Sequence, residues 1–339
     1  MLALFVHILF FKFFRLSPNL AASYLIVFAF QKISLLGSCI AFILLGATTN
    51  RSNIRKIMEM LSTVDELLIR NSARNIYKEE FYSLISQVLF LIGLLIGTLY
   101  YYVSISSNFQ NILFGVYYVL TVLINGVGLL HVLFLLRIMK FSFKRIDEEL
   151  KMLQTNSNVT TTFFVFRNIL RVNPGNDKPA CSILALRSMH FNIYELGRLV
   201  NSCYGPLMLI EIAHNFVSMV SLVDIVLILL DRRGTIATTI VYYGCWLVYY
   251  ALKTTALMLT SQMACDESRK ILATVHKLLL RPNLRPCCER QLHLFMKQAI
   301  NNRTVFTASG IFPLDLPTLH SIVSAAVTYS IVFGQLRKG

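Results

Sequence analysis

Seven apolar stretches, most of them twenty or more residues long, constrain this chain more than any other feature. A hydrocarbon core about 30 Å thick is crossed by roughly 20 helical residues. Backbone inside it has to satisfy its own hydrogen bonds, so such runs are helices. The stretches are residues 1–14, then spans within 20–48, 81–105, 112–139, 204–230, 236–263 and 316–336. The first is short and carries His7 and Lys12. Its charges, Lys12 and Arg15, follow the apolar run, whereas a signal peptide has them first, so it reads as a shortened first span. Gln31 and Lys32 interrupt the second. Only 14% of residues are charged, against about 25% in soluble domains.

The basic residues orient the spans. Segment 50–81 holds six Lys or Arg, 137–199 holds ten and 263–308 holds eight, together 24 of the 32 in the chain. The alternate connections hold almost none, with Arg232 and Arg233 the exception. Basic loops stay cytoplasmic, which puts the N-terminus inside and the C-terminus outside. The sequons at Asn50, Asn158 and Asn302 then lie on the cytoplasmic side, where they escape glycosylation. The net charge of +15 is therefore membrane topology rather than a nucleic-acid surface, and no nucleic-acid-binding pattern accompanies it.

Helices continue past the membrane. Ile54, Ile57, Leu61, Val64 and Leu68 recur at helical spacing, as do Ile271, Val275 and Leu278. They suit a bundle beneath the bilayer. Residues 173–177, Asn-Pro-Gly-Asn-Asp, break the pattern and form a loop. The expected fold is an all-α membrane protein with seven transmembrane helices and cytoplasmic helical extensions.

Catalytic chemistry has no foothold. Neither GxSxG, HExxH, a phosphate-binding loop nor a dinucleotide fingerprint occurs, and the seven histidines do not pair at ligand spacing. The seven cysteines are an odd number without framework spacing, so free thiols are expected and no metal or cofactor is implied. A transporter would need paired broken helices, and none is evident.

Ionisable residues inside spans are costly and informative. Glu211, His214, Asp224, Lys253 and Lys32 qualify. For Glu211 and Lys253 the favoured reading is structural, an interhelical ion pair or a snorkelling side chain near an interface. For Asp224 an ion pair and a polar contact in a ligand cavity stay equally open. Aromatics crowd the outer halves of the third, fourth and sixth spans. An interfacial belt explains some of them, but Trp246 and Tyr250 lie two to three turns deep, with Tyr243 on the same face. Aromatic walls with a few polar groups make small-molecule pockets, so Trp246, Tyr243, Tyr250, Asp224, Tyr118 and Thr121 are the candidate ligand-binding residues.

Ser321, Ser324, Thr328 and Gln335 form a narrow polar stripe on the last span. Two readings remain open: close helix packing through small residues, or a pore face in an assembly of several chains, closed by Ile331 or Val332 through dewetting.

Residues 328–336, Thr-Tyr-Ser-Ile-Val-Phe-Gly-Gln-Leu, resemble the TYxxxxxQF signature that ends insect gustatory receptors, with Leu336 in place of the final Phe. Residues 306–315 are similar to the segment before the last helix of that family. The stretch from Arg187 through His190 and Asn201 to Leu207 resembles the approach to its fifth helix. Together the likeness covers roughly residues 180–338, and the inverted seven-span topology agrees with it.

The resemblance implies a ligand-gated nonselective cation channel in the plasma membrane, assembled as a homo- or hetero-tetramer with other gustatory receptors. A small-molecule tastant would bind an outward-facing cavity, and the last helix of each subunit would line the pore. Ser321, Ser324, Thr328, Tyr329, Ile331, Val332, Gln335 and Leu336 are then pore residues. Residues 1–285 would carry the ligand-binding helices, and 286–339 a short anchoring helix, about 289–303, plus the pore helix. Ser330 stands where sugar receptors of the family place an acid, which favours bitter or other plant-derived ligands. A G-protein-coupled receptor is the competing reading. It needs the opposite orientation and an Asp-Arg-Tyr-like or Asn-Pro-x-x-Tyr motif, neither of which occurs. The short first span also raises a truncated, nonfunctional subunit.

Overall fold

The computed structural model describes residues 33–41, 43, 51–68, 73–105, 109–155, 178–231, 237–282 and 284–338. The expectations for the first span, Lys32, the 173–177 loop, Arg232 and Arg233, Asn50 and Asn158 lie outside them, as does the side chain of Leu336. The described residues are nearly all helical. Helix α1 covers 33–41, α2 Arg51–Leu68, α3 Ala73–Ile105, α4 Phe109–Thr155, α5 Lys178–Asp231, α6 Ala237–Leu279, α7 Pro286–Asn301 and α8 Leu316–Lys338.

Helices α4, α5 and α6 form the centre. Each is 43 residues or longer, about 65 Å at 1.5 Å per residue, roughly twice a hydrocarbon core. The spans and the predicted extensions are thus single continuous rods. Gly115–Leu153 and Ala180–Leu227 are each long and apolar enough to cross a membrane, with shorter apolar helices at Ile85–Tyr101 and Leu316–Val332. Helix α6 packs along both α4 and α5.

Two packing units follow one another along these rods. The first is aliphatic and includes Leu136, Phe143 and Ile146 of α4, Ile193 and Val200 of α5, and Ile271 and Val275 of α6. Helix α7 seals it. Pro286 sits in its first turn, where a missing N–H costs nothing, and Cys288, Leu292, Phe295 and Ala299 make one buried face at helical spacing. Ile57 of α2 joins the same unit, in line with the expected bundle. The second unit, at the other end, is built around aromatic side chains of α4 and α6.

Between α7 and α8 the chain makes a small hairpin that helical periodicity does not announce. Strand β1 (Thr307–Ala308) pairs antiparallel with β2 (Phe312–Pro313), Ala308 opposite Phe312. Ser309 and Gly310 adopt φ of 57° and 78°, and the left-handed region favours glycine. The hairpin lies directly on α5. A Cβ on Gly205 would come within 3.2 Å of the Ser309 backbone nitrogen, so the glycine permits the approach. Helix α8 then starts on Asp315, whose carboxylate accepts the Thr318 N–H at 2.9 Å as an N-cap.

Candidate functional site

The aromatic unit draws one to three residues from each of five helices: Leu35 of α1, Leu91 and Leu95 of α3, Tyr118 and Val122 of α4, Met219 and Leu222 of α5, and Trp246, Tyr249 and Tyr250 of α6. Trp246 is its hub. Tyr118 meets its ring edge-on at 5.4 Å, Tyr249 edge-on at 5.4 Å, and Tyr250 at a tilt at 5.9 Å. Edge-to-face geometry suits the quadrupoles of such rings. Four of the six candidate ligand residues, Trp246, Tyr250, Tyr118 and Thr121, are buried around this hub. Thr121 turns its hydroxyl back to the Tyr117 carbonyl at 2.9 Å. Tyr243 lies one layer further out, its ring 6.4 Å from Tyr101, and Asp224 is buried on α5.

A polar layer lies immediately beneath. The His214 ring is hydrogen-bonded to the Ser34 hydroxyl at 2.9 Å and meets Tyr250 edge-on at 5.5 Å. Asn125 donates to the Ser38 hydroxyl at 2.9 Å. Lys253 of α6 pairs with Glu211 of α5, both almost wholly buried. The ammonium also stands 5.6 Å from the Tyr249 ring centre, a cation–π distance. An isolated buried charge is expensive, and the pairing answers the ionisable residues noted in these spans. The Asn125 and Asn215 side-chain oxygens are buried without hydrogen-bond partners among the described residues. The Tyr250 hydroxyl faces Tyr118 and Ser218, and the Trp246 indole faces Tyr242, without well-aligned hydrogen bonds. Buried groups of this kind are usually satisfied by water or by a ligand.

A groove of about 1000 Å³ opens beside the hub between α3 and the start of α6. Gly93 and Gly97 leave its α3 wall bare, Tyr101 and Tyr242 stack face to face at 4.0 Å across it, and Trp246 reaches its floor. Of the six candidate ligand residues only Trp246 lines this groove; the others stand behind it. Sequence reasoning missed Ser34, Ser38 and Asn125, because serine and asparagine inside an apolar span carry no periodic signal. It also treated Tyr101 and Tyr242 only as parts of aromatic clusters.

Helix α8 presents two opposite rows. Ala326 and Ser330 are buried, and Leu319 and Ile322 pack against the aliphatic unit. At about 100° per residue, Ser321, Ser324, Thr328, Ile331, Val332 and Gln335 fall on the other side, and all six are exposed. The Ser321 and Thr328 hydroxyls donate back along the helix to the Pro317 and Ser324 carbonyls. Tyr329 is turned about 100° from Thr328. Half exposed, it meets Phe216 of α5 edge-on at 5.9 Å. Among the described residues no group of three His, Cys, Asp or Glu could hold a metal ion, and no two cysteines form a disulfide.

A helical bundle with large apolar side chains on its surface, a buried polar layer between two apolar packing units and one bare polar helix face has the build of a helical membrane protein. The sequence pattern described as 7tm Chemosensory receptor matches residues 1–337, and the chain belongs to that family. The family is one of membrane receptors, not of enzymes. A Drosophila melanogaster relative, "Putative gustatory receptor 2a", is 24% identical over 175 residues, covering 45% of this chain. The match spans 40% of that relative's length. It bears out the resemblance read from residues 180–338. Among solved structures, the insect olfactory receptor OR5 from Machilis hrabei in complex with eugenol is similar with a TM-score of 0.61 at 14% identity, over 98% of this chain and 88% of that one. The same receptor without eugenol gives 0.57 at 12% identity and the same coverage. At these identities the likeness is one of fold.

Proposed function

We propose that this chain is a subunit of a tastant-gated, nonselective cation channel of the plasma membrane, a tetramer whose pore is lined by α8. The observation that carries the reading is the pair of opposite rows on α8. One row fastens the helix to its own bundle, and the other leaves hydroxyls, Ile331, Val332 and Gln335 bare. A bare polar stripe on an apolar helix needs water beside it, and a central pore supplies that. The resemblance to gustatory receptors implies the same role for this helix. The orientation proposed is a cytoplasmic N-terminus and extracellular C-terminus, supported by the 24 basic residues in alternate loops.

The tastant would enter the groove between α3 and α6 and end on Trp246, with Tyr118, Tyr250, Tyr243, Thr121 and Asp224 supporting it. The neighbouring OR5 structure holds eugenol, a small aromatic molecule, and the mostly apolar, aromatic groove suits that ligand class. Gating requires the ligand to bind the open state better than the closed one. Trp246 and Tyr250 sit on the same rod, α6, that holds the start of α8 through Gln262 at 2.8 Å. A shift of α6 is therefore felt at the pore helix.

Whole-cell recording from cells expressing this chain, challenged with aromatic plant compounds, tests the reading directly. Ligand-evoked cation current is expected, and a C-terminal tag should stain without permeabilisation. Silence from confirmed surface tetramers, alone and with other gustatory receptors, or a tag reached only after permeabilisation, counts against it.

A further inference from the structure

A second cleft lies one to three turns nearer the aliphatic unit than the groove at Trp246. It encloses about 300 Å³ between α3, α4 and α6. Its walls are apolar, including Leu91, Leu129, Leu133 and Ala256, and its polar side chains include Gln87, Tyr249 and Lys253. Gly126 keeps it compact: a Cβ there would stand 2.7 Å from a Leu91 methyl and 3.7 Å from the Tyr249 hydroxyl. Phe90 and Leu252 line the mouth and are 46% and 55% exposed. Under the membrane reading proposed above, on which this inference rests, that mouth opens sideways into the acyl chains.

The polar groups narrow the occupant. The charge of Lys253 is already matched by Glu211, so a further buried charge would lack a partner and be costly. The Gln87 side-chain oxygen is buried and accepts no hydrogen bond from the described residues. A ligand hydroxyl supplies the donor that this oxygen lacks, whereas an ether, an acceptor only, does not. We infer that this cleft binds an uncharged, membrane-dissolved amphiphile that turns a hydroxyl onto Gln87 and lays its apolar body along Phe90 and Leu252. The volume lies at the lower end of small-molecule pockets, about 300–1,000 Å³, and the open mouth lets a longer body continue into the bilayer. A resident sterol-type lipid and an applied alkylphenol share this chemistry.

The test uses the full chain in phosphatidylcholine nanodiscs with a diazirine-bearing cholesterol probe, the labelled peptides being mapped by mass spectrometry. Saturable labelling of α3 and α4 around Gln87 and Gly126 is expected. Competition by cholesterol identifies a resident lipid, and competition by 4-propylphenol alone an applied small molecule. In either case the hydroxyl compound should compete roughly five-fold better than its methyl ether, the factor one net hydrogen bond supplies. Gln87→Leu should weaken labelling by about the same factor, and Ala256→Trp should abolish it. Thermal unfolding checks both variants, and the ether comparison needs neither. Label spread unsaturably over the lipid-facing surface, as a cleft holding only water would give, overturns the inference. So does equal competition by alcohol and ether. Labelling needs no current, so a silent channel and an empty cleft are separate failures.

Discussion

Asn201 and Thr307 hydrogen-bond each other twice across 106 residues of chain. The Asn201 amide donates to the Thr307 hydroxyl oxygen at 3.1 Å while its own oxygen accepts the Thr307 N–H at 2.8 Å. That hydroxyl oxygen also accepts the Gly310 N–H at 3.0 Å. One asparagine on α5 thus holds both the strand and the turn of the hairpin that feeds α8. Gln262 of α6 and the Asp315 cap hold the next residues.

Asn201→Ala removes both contacts and leaves the Thr307 N–H unmatched. An unsatisfied buried donor costs about 1–3 kcal/mol. Thermal unfolding of the purified protein should fall accordingly. Ligand-evoked current should fall further than surface expression does, because the hairpin ties α5 to α8, the helix proposed to line the pore. A variant with normal stability and normal current would show that the clamp is dispensable.

For the buried pair, Lys253→Met strands the Glu211 carboxylate. Breaking such a pair costs about 3–5 kcal/mol, whereas replacing both members by apolar residues is often neutral. The double variant Glu211→Leu/Lys253→Met should therefore recover much of the stability lost in the single one. A double-mutant cycle read by thermal unfolding in detergent checks this, and additive losses would contradict it.

The two rows of α8 predict a pattern of chemical access. Ser324→Cys and Thr328→Cys should react with a charged, water-soluble thiol reagent and lose most of their current. Ala326→Cys and Ser330→Cys, on the buried row, should be protected. Equal reaction on both rows would remove the support for a pore on this face. The native cysteine nearest the groove, Cys245, is exposed on α6 and is best replaced by serine first.

His190 gives a pH dependence. It lies 14 residues before the expected start of the fifth span, about 21 Å along α5, buried between Phe143 and Phe295 at 5.8 and 5.5 Å with neither ring nitrogen hydrogen-bonded to a described residue. Burial pushes its pKa down to about 4. The unfolded chain takes up the proton near pH 6.5, so the folded state loses stability as pH falls from about 6.5 towards 4, by about 3 kcal/mol in full. His190→Phe should flatten the unfolding temperature across that window. An unchanged slope would mean that other groups control it.

Much of this architecture is legible in the sequence because lipid leaves few options: an apolar run of span length has to be helical. A structural role for Glu211 and Lys253 was legible for the same reason, since charges in apolar spans need partners, but that they partner each other was not. Resemblance over residues 180–338 led to the family. The hairpin at Thr307–Pro313 stayed hidden because two-residue strands have no period. The Ser34–His214 contact spans 180 residues, and nothing in a serine announces so distant a partner. Trp246 was expected in a pocket on depth alone, but the groove beside it depends on Gly93 and Gly97 leaving a gap. That is a matter of shape, which a glycine count does not convey.

The stacking of two packing units on the same three rods has an evolutionary consequence. Substitutions around Trp246 alter only the upper unit, while the aliphatic unit sealed by α7 keeps its own set of partners. A lineage can thus retune what such a receptor detects, residue by residue, without relearning how to fold.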